Sequence, residues 1–214
     1  MKTAMEANKR VKEGSGYIFA YYFDEEFIEK DCFLSKEQKK NFKGGFGAVI
    51  FANYTNSSAG PYQELLFIPG KFAIDGDESY VVSKAYCSSA KAMEQKVFCK
   101  KELADFNIEK VDDKTETIVV TRDGKPIFRI EVQSWGFNIP MTSDMVKFPL
   151  VSVEDGKVVK WDYNGSGTAS FAKIEAIGVR PAKFPDVALF SPLVGIHFEK
   201  FNIEYDNDKI KGLT

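Results

Sequence analysis

The sequence has few of the residues that mark the commonest catalytic and metal sites. Its 214 residues include one histidine and three cysteines, which are scattered without Cys-x-x-Cys spacing. An odd, scattered set of cysteines indicates neither a disulfide framework nor a structural zinc site. We therefore predict no metal and expect a cytoplasmic, reducing compartment. The single histidine, His197, is interpreted as a structural or exposed strand residue.

The sequence also lacks an excess of charge of one sign and a long apolar run. Its 29 Lys and Arg nearly balance its 31 Asp and Glu, so no cationic surface is expected to attract nucleic acid. The apolar runs at 48–52 and 65–68 are far shorter than the roughly 20 residues that cross a bilayer. Residues 1–14 have no apolar signal-peptide core and are interpreted as a flexible tail, a solvated segment or frayed helix. Neither nucleic acid nor a membrane is an expected partner.

Aromatic residues are abundant, with 19 Phe and 9 Tyr, so one sizeable core is expected. Segments rich in Val, Ile, Phe and Tyr predict strands. Asp-Gly or Asn-Gly pairs at 75–76, 123–124, 155–156 and 164–165 predict the tight turns of antiparallel hairpins. The predicted strands are 46–52, 62–69, 79–86, 115–121, 126–134, 157–163, 168–178 and 194–205.

Helical spacing is confined to short segments. It predicts one internal helix near Ser89 to Phe98 and a short helical lead-in over 24–41. No repeat or linker interrupts the chain. The sequence therefore predicts a single mainly β (α+β) domain over 15–214, arranged as a closed or sandwich-like antiparallel sheet.

Glu64 is the first candidate for a functional side chain. Alternation in a strand places it on the face of Tyr62, Leu66 and Ile68, while the other face is apolar as well. A buried carboxylate needs a cation, hydrogen-bond donors or a proton. The alternative is that this part of the strand is exposed to solvent.

Lys100 and Lys101, after the predicted helix, are the second candidate. Adjacent ammonium groups repel each other, and burial lowers the pKa of a lysine further, which yields a free amine that attacks carbonyl groups. The alternative is that the doublet is solvated surface.

The two segments together resemble the acetoacetate decarboxylase superfamily. Residues 60–66, Gly-Pro-Tyr-Gln-Glu-Leu-Leu, are similar to the family's Gly-Pro-Tyr-x-Glu-Leu strand. Residues 101–106, Lys-Glu-Leu-Ala-Asp-Phe, resemble the segment that carries its catalytic lysine. Looser similarity at 170–176 and 184–186 extends the resemblance over roughly Gly45 to Tyr205. The resemblance implies a closed, cone-like antiparallel β-barrel with one or two short helices and a central pocket.

The resemblance also implies an activity. Lys101 matches the Schiff-base lysine and Glu64 the active-site acid, and Lys100 is an electrostatic modifier if its ammonium points inward. Tyr62 and Arg129 are the candidate substrate-binding residues. Arg129 matches no residue of the family pattern and is chosen because a substrate carboxylate needs a cation; the alternative is that it lies on the solvated polar face of its predicted strand. The implied function is a Schiff-base-forming lyase, of decarboxylase or aldolase-dehydratase type, that acts on a small keto acid without a cofactor.

The chain departs from the family before the lysine. Family members have Gly-Arg-x-x-Trp-Gly-x-Pro-Lys, whereas residues 93–101 read Met-Glu-Gln-Lys-Val-Phe-Cys-Lys-Lys. Glu102 follows Lys101 where the decarboxylase has an activating lysine, and a carboxylate there raises the pKa of Lys101. These departures favour the alternative of a catalytically degenerate member that binds a small apolar or carboxylated ligand. A scaffold whose exposed aromatic edges form a homo-oligomer is a third alternative.

Overall fold

A computed structural model describes residues 9–95, 98–145, 148–154, 157–206 and 212–213. Strands dominate, and none of the helices in these ranges is long and apolar enough to span a bilayer. The helices are α1 (Glu25–Asp31), α2 (Lys36–Asn41) and α3 (Ala90–Gln95), with a 3-10 turn at Val187–Leu189. The strands are β1 (Lys9–Tyr22), β2 (Phe42–Gly44), β3 (Phe46–Asn56), β4 (Tyr62–Ile68), β5 (Lys71–Ile74), β6 (Asp77–Val81), β7 (Lys84–Cys87), β8 (Glu102–Leu103), β9 (Asp105–Lys110), β10 (Thr115–Arg122), β11 (Lys125–Thr142), β12 (Leu150–Glu154), β13 (Lys157–Lys160), β14 (Tyr163–Val179), β15 (Val194–Asp206) and β16 (Gly212–Leu213).

Ten strands form one sheet in the order β8-β7-β4-β3-β1-β15-β14-β11-β10-β9, which curls into a nearly closed barrel. All neighbours in this sheet are antiparallel except β7 and β8, which pair in parallel. The other six strands form a smaller sheet in the order β16-β13-β12-β6-β5-β2. Curling leaves few hydrogen-bonding edges exposed to other chains. The predicted mainly β, antiparallel barrel is confirmed.

Strand β4 is buried on both faces, which is the feature that positions the site. Leu65 and Phe67 belong to one core cluster, and Leu66 and Ile68 belong to a second cluster on the opposite face. Successive side chains of a strand point to opposite faces, so Glu64 shares the face of Leu66 and Ile68 and is buried there.

The predicted helices are present, and side chains at their N-termini cap them by accepting hydrogen bonds from backbone amides. The Asp24 carboxylate accepts a hydrogen bond from the Phe27 amide at 2.8 Å, and Ser35 forms a capping box with Gln38. Ser89 Oγ accepts from the Ala92 amide at 3.3 Å at the start of α3. This helix ends at Gln95 rather than at Phe98, and residues 96–97 lie outside the described ranges.

Two of the predicted turns are confirmed. Asp75-Gly76 and Asp123-Gly124 have positive φ at both residues and close the β5–β6 and β10–β11 hairpins. The turn predicted at Asn164-Gly165 is wrong, because both residues lie inside β14 and pair with β15. The pair at 155–156 lies outside the described residues.

The first described strand differs from the expected flexible tail. Residues 9–14 form the start of β1, between β3 and β15, and residues 1–8 lie outside the described ranges. Gly14 and Gly16 permit close contact here, since a Cβ at either position would lie 2.2 Å from the carbonyl oxygen of Asn53 or Phe51. The sequence did not predict this part of β1, because residues 9–13 are mostly charged and show no apolar alternation. Pairing with β3 and β15 on both sides stabilises it instead.

Candidate functional site

Glu64 lies at the centre of β4 and is completely buried. It faces Ala52 of β3 in the ladder on one side and Cys87 of β7 on the other. The Tyr54 hydroxyl donates a hydrogen bond to Glu64 Oε2 at 3.0 Å. Burial, followed by the negative charge of Glu64, raises the pKa of Tyr54 well above its usual 10.0, so Tyr54 keeps its proton as a donor.

Lys101 provides the cation for this carboxylate. Its Nζ lies 3.4 Å from Glu64 Oε1, and the two side chains are 1% and 0% exposed. Nζ also donates to the Cys99 carbonyl oxygen at 3.5 Å. Burial opposes the charge of Lys101, but Glu64 and weaker neighbours outweigh it and raise the pKa of Lys101 above its usual 10.5. Lys101 is therefore the ammonium of a buried ion pair.

Pairing with β7 brings Lys101 to this position. Strand β8 begins at Glu102 and runs parallel to β7, with Leu103 opposite Cys87. Glu102 itself, expected to act on Lys101, forms ion pairs with Lys84 and Arg122. The carboxylate after Lys101 is therefore bound by other cations.

Phe98 has a left-handed backbone conformation that glycine adopts more readily. In the alignment of 93–101 with the family's motif, Phe98 occupies the position of the second glycine, and its φ is +66°. A positive φ is uncommon for a bulky aromatic residue and carries a cost in free energy. The chain thus turns towards Lys101 without the glycine, and the Phe98 ring is buried.

Lys12 of β1 is a second buried lysine in the same cluster, and sequence reasoning missed it. Its residue is 1% exposed, and its Nζ donates to the Tyr62 hydroxyl at 2.7 Å. A lysine inside a charged N-terminal segment gives no sign of burial. The only usable signal was its position two residues before Gly14, the first of the small residues that allow β1 to pack closely on β3.

Aromatic rings surround the Lys12 amine. The centroids nearest to Nζ, at 4.6, 5.2, 5.4 and 5.9 Å, are those of Tyr54, Phe98, Tyr62 and Tyr205. A desolvated cation–π contact contributes about 2 kcal/mol at close range. Removing an ammonium from water costs several kcal/mol, and the carboxylate that would offset it is paired with Lys101.

Desolvation therefore has the largest effect on the pKa of Lys12. Burial lowers its pKa from the usual 10.5, Glu64 opposes this effect, and the Lys101 ammonium adds to it. The cluster holds two amines and one carboxylate, so the neutral state of the cluster contains one ammonium and one free amine. Burial also raises the pKa of the Cys99 thiol to about 12, which makes this neighbouring cysteine a poor nucleophile.

The remaining predicted site residues are divided between the cluster and the surface. Tyr62 is buried and belongs to the cluster through Lys12. Lys100 and Arg129 are both exposed, and Arg129 lies on β11. The condition for Lys100 as an electrostatic modifier, an inward-pointing ammonium, is not met. The His197 ring stacks on the Tyr17 ring, with the centroids 4.6 Å apart.

An apolar cavity of about 160 Å³ adjoins the cluster. Tyr54 and Phe98, two of the rings around Lys12, form part of its wall. Among the described residues that line it, neither Lys101 nor Glu64 is present. Tyr205, which contacts the cluster from β15, has a buried hydroxyl without a hydrogen-bond partner.

Comparison of the sequence with protein-family models and with curated proteins finds no match. Comparison with solved structures finds clear similarity over nearly the whole chain. The enduracididine biosynthesis enzyme MppR complexed with pyruvate is 12% identical, with a TM-score of 0.65 and coverage of 95% of this chain and 91% of that one.

Two further structures have the same fold. Acetoacetate decarboxylase from Legionella pneumophila is 13% identical, with a TM-score of 0.67 and coverage of 94% and 85%. An acetoacetate decarboxylase-like enzyme from Sphingomonas wittichii is 9% identical, with a TM-score of 0.67 and coverage of 93% and 91%. At these identities the likeness establishes the acetoacetate decarboxylase-like fold.

Proposed function

We propose that this chain is a Schiff-base-forming lyase, of decarboxylase or aldolase-dehydratase type, that acts on a small keto acid. The observation that carries the proposal is the buried cluster in which Lys101 and Glu64 meet at 3.4 Å and Tyr62 binds a second amine. On the family resemblance, Lys101 is the first candidate for the nucleophile and Glu64 for the proton donor or acceptor. Lys100 and Arg129 are exposed and have no part in the proposal.

The chemistry fits what such a site must supply. Imine formation needs an unprotonated amine. The cluster holds two buried lysines and one carboxylate, which pairs with Lys101, so burial lowers the pKa of Lys12. Loss of carbon dioxide leaves an electron pair that the protonated imine accepts. A water-poor environment protects the imine from early hydrolysis, and every side chain of the cluster is buried.

Reduction by borohydride tests the proposal. The protein is incubated with pyruvate or with acetylacetone, treated with borohydride, and its intact mass is measured. We expect one stable adduct in the wild type and its loss at neutral pH in Lys101→Gln. Release of carbon dioxide from acetoacetate then distinguishes decarboxylation from aldol chemistry. A wild-type protein that gains no adduct with either probe contradicts the proposal.

The apolar cavity favours a second candidate function, binding of a small apolar or carboxylated ligand without chemistry. Lys101 and Glu64 are not among the described residues that line the cavity. For this function we expect saturable binding of a small apolar probe that Lys101→Gln leaves unchanged, with no adduct after borohydride. An adduct in the wild type excludes it.

A further inference from the structure

We infer that Arg122 binds the carboxylate of the keto acid, in an open cleft beside α3 through which the substrate reaches Lys101. The inference rests on the proposed Schiff-base function and identifies the cation that positions the substrate within it. It gives Arg122 the role that the sequence suggested for Arg129, which is exposed on β11.

The cleft lies between α3, residues 101–105 and the end of β10, and its volume is about 650 Å³. Lys101 forms part of its wall, whereas Lys101 is not among the described residues that line the apolar cavity. Arg122, the last residue of β10, lines the same cleft. Small-molecule sites usually measure about 300–1,000 Å³. The cleft therefore has room for a keto acid and brings it to the candidate nucleophile.

The charges of the two cavities assign the substrate carboxylate to the cleft. Among the described residues that line the apolar cavity, none has a charged side chain. A carboxylate that entered that cavity would lose its hydration without gaining a partner, which is strongly unfavourable. The cations in the described wall of the cleft are Lys101 and Arg122, and Lys101 pairs with Glu64 at 3.4 Å. Arg122 is therefore the cation of this wall that lies outside the buried pair.

The ion pairs of Glu102 leave Arg122 able to bind a second carboxylate. Glu102, the residue directly after Lys101, pairs with both Lys84 and Arg122. Two cations around one carboxylate leave one positive charge in excess, so Glu102 retains Lys84 when Arg122 turns to the substrate.

The guanidinium group of Arg122 is oriented before a substrate arrives. Its Cζ lies 5.8 Å from the centroid of the Tyr86 ring, and the Tyr86 residue is fully buried. The Arg122 side chain is 30% exposed, so solutes can reach it. A guanidinium presents its N–H donors in a planar fork that matches both oxygens of a carboxylate.

Two further carboxylates line the cleft at its exposed rim. Asp105 is exposed, and the Asp123 side chain is 80% exposed with its Oδ2 4.0 Å from Arg122 Nε. Water and salt screen charges at such positions, and an exposed pair at this distance contributes little. A substrate carboxylate that binds both oxygens to the guanidinium displaces this contact.

Trapping with a charged and an uncharged carbonyl compound tests the inference. Pyruvate has a carboxylate and acetylacetone has none. Each is incubated with the protein at neutral pH over a range of concentrations and treated with borohydride, and the adduct is measured by intact mass. Peptide mapping of the wild-type adduct should locate it on Lys101. In Arg122→Gln we expect the pyruvate concentration for half-maximal adduct to rise about ten- to a hundredfold, which corresponds to the loss of a hydrogen bond to a charged group.

The acetylacetone concentration for half-maximal adduct should stay unchanged in Arg122→Gln, which also shows that the variant is folded. Arg129→Gln is the matched control, because it removes an exposed arginine outside the cleft, and it should leave both values unchanged. Added salt should raise the value for pyruvate in the wild type and leave that for acetylacetone unchanged.

Glu102→Gln provides a readout in the opposite direction. It releases Arg122 from its carboxylate, so the half-maximal concentration of pyruvate should fall relative to that of acetylacetone. The ratio of the two values is used because the Glu102 charge also acts on Lys101 and thus on both probes alike. This variant tests the inference even if Arg122→Gln fails to fold.

The outcomes separate the inference from the proposed function. An equal change for both probes in Arg122→Gln, or no change for either, overturns the inference and leaves the Schiff-base function in place. An adduct that maps only to lysines outside the cleft overturns the inference as well. A wild-type protein that gains no adduct with either probe overturns the proposed function and the inference together.

Discussion

Lys101 and Glu64 lie 3.4 Å apart because β4, which carries Glu64, and β8, which begins directly after Lys101, both pair with β7. Cys87 is the partner of Glu64 in the antiparallel β4–β7 ladder and the partner of Leu103 in the parallel β7–β8 ladder. A single short strand thus fixes the position of the acid and of the amine. The pair is consequently part of the framework of the barrel, and its removal should affect stability as well as chemistry.

Replacement of Glu64 by Gln is expected to destabilise the protein strongly. The change leaves the Lys101 ammonium buried without its carboxylate, which typically costs about 3–5 kcal/mol. The matched control is Glu78→Gln, which breaks the exposed Lys71–Glu78 pair at 2.8 Å and should cost much less, because solvent screens this pair. Urea unfolding of both variants measures the difference, and equal losses would contradict the buried pair.

Replacement of Lys12 by Met should change how stability depends on pH. The pKa of Lys12 in the folded state lies below its usual 10.5, so the unfolded state binds more protons between these two values. Wild-type stability therefore rises with pH through this window and falls as pH decreases towards the folded-state pKa.

Lys12→Met lacks this contribution, so the stability of the wild type relative to the variant should increase with pH between the folded-state pKa of Lys12 and 10.5. Lys101 has a raised pKa, and its contribution is lost only above its usual value, outside this window. Unfolding midpoints at several pH values measure the difference. A constant difference between the two proteins would show that Lys12 is charged when buried.

Replacement of Tyr205 by Phe should separate ligand binding from stability. The buried hydroxyl has no partner, so its removal should leave the free energy of unfolding unchanged or raise it by about 1 kcal/mol. Ligand binding, in contrast, should weaken if the hydroxyl contacts the substrate oxygen. Tyr163→Phe is the control, because the Tyr163 hydroxyl donates to the Phe148 carbonyl at 2.9 Å and its loss should cost about 1 kcal/mol.

Replacement of Lys100 by Gln should have almost no effect. The side chain is exposed, and surface substitutions usually change stability by less than about 0.5 kcal/mol. The pH dependence of adduct formation should match that of the wild type, since water and salt screen the exposed Lys100 ammonium. A shift of this pH profile in Lys100→Gln would contradict this prediction and support the hypothesis that Lys100 lowers the pKa of Lys101.

The sequence by itself determined the elements that local patterns encode. Alternation predicted β4 and its buried carboxylate, Asp-Gly pairs predicted two hairpin turns, and Ser89 marked the start of α3. The motif at 101–106 identified the lysine that pairs with Glu64. These features depend on residues that are close together in the chain, so they can be predicted without knowledge of the tertiary structure.

Only the tertiary structure decided which amine carries the charge. The state of a lysine depends on burial and on the groups that other strands bring near it, and neither leaves a local pattern. Lys12 lies in a charged segment that gives no apolar alternation, yet β3 and β15 enclose it. Phe98 likewise keeps a positive φ where the family pattern has glycine, because the surrounding core fixes the turn. The sequence identified only some members of this cluster. The pKa values of its two lysines depend on the strands that long-range pairing brings together.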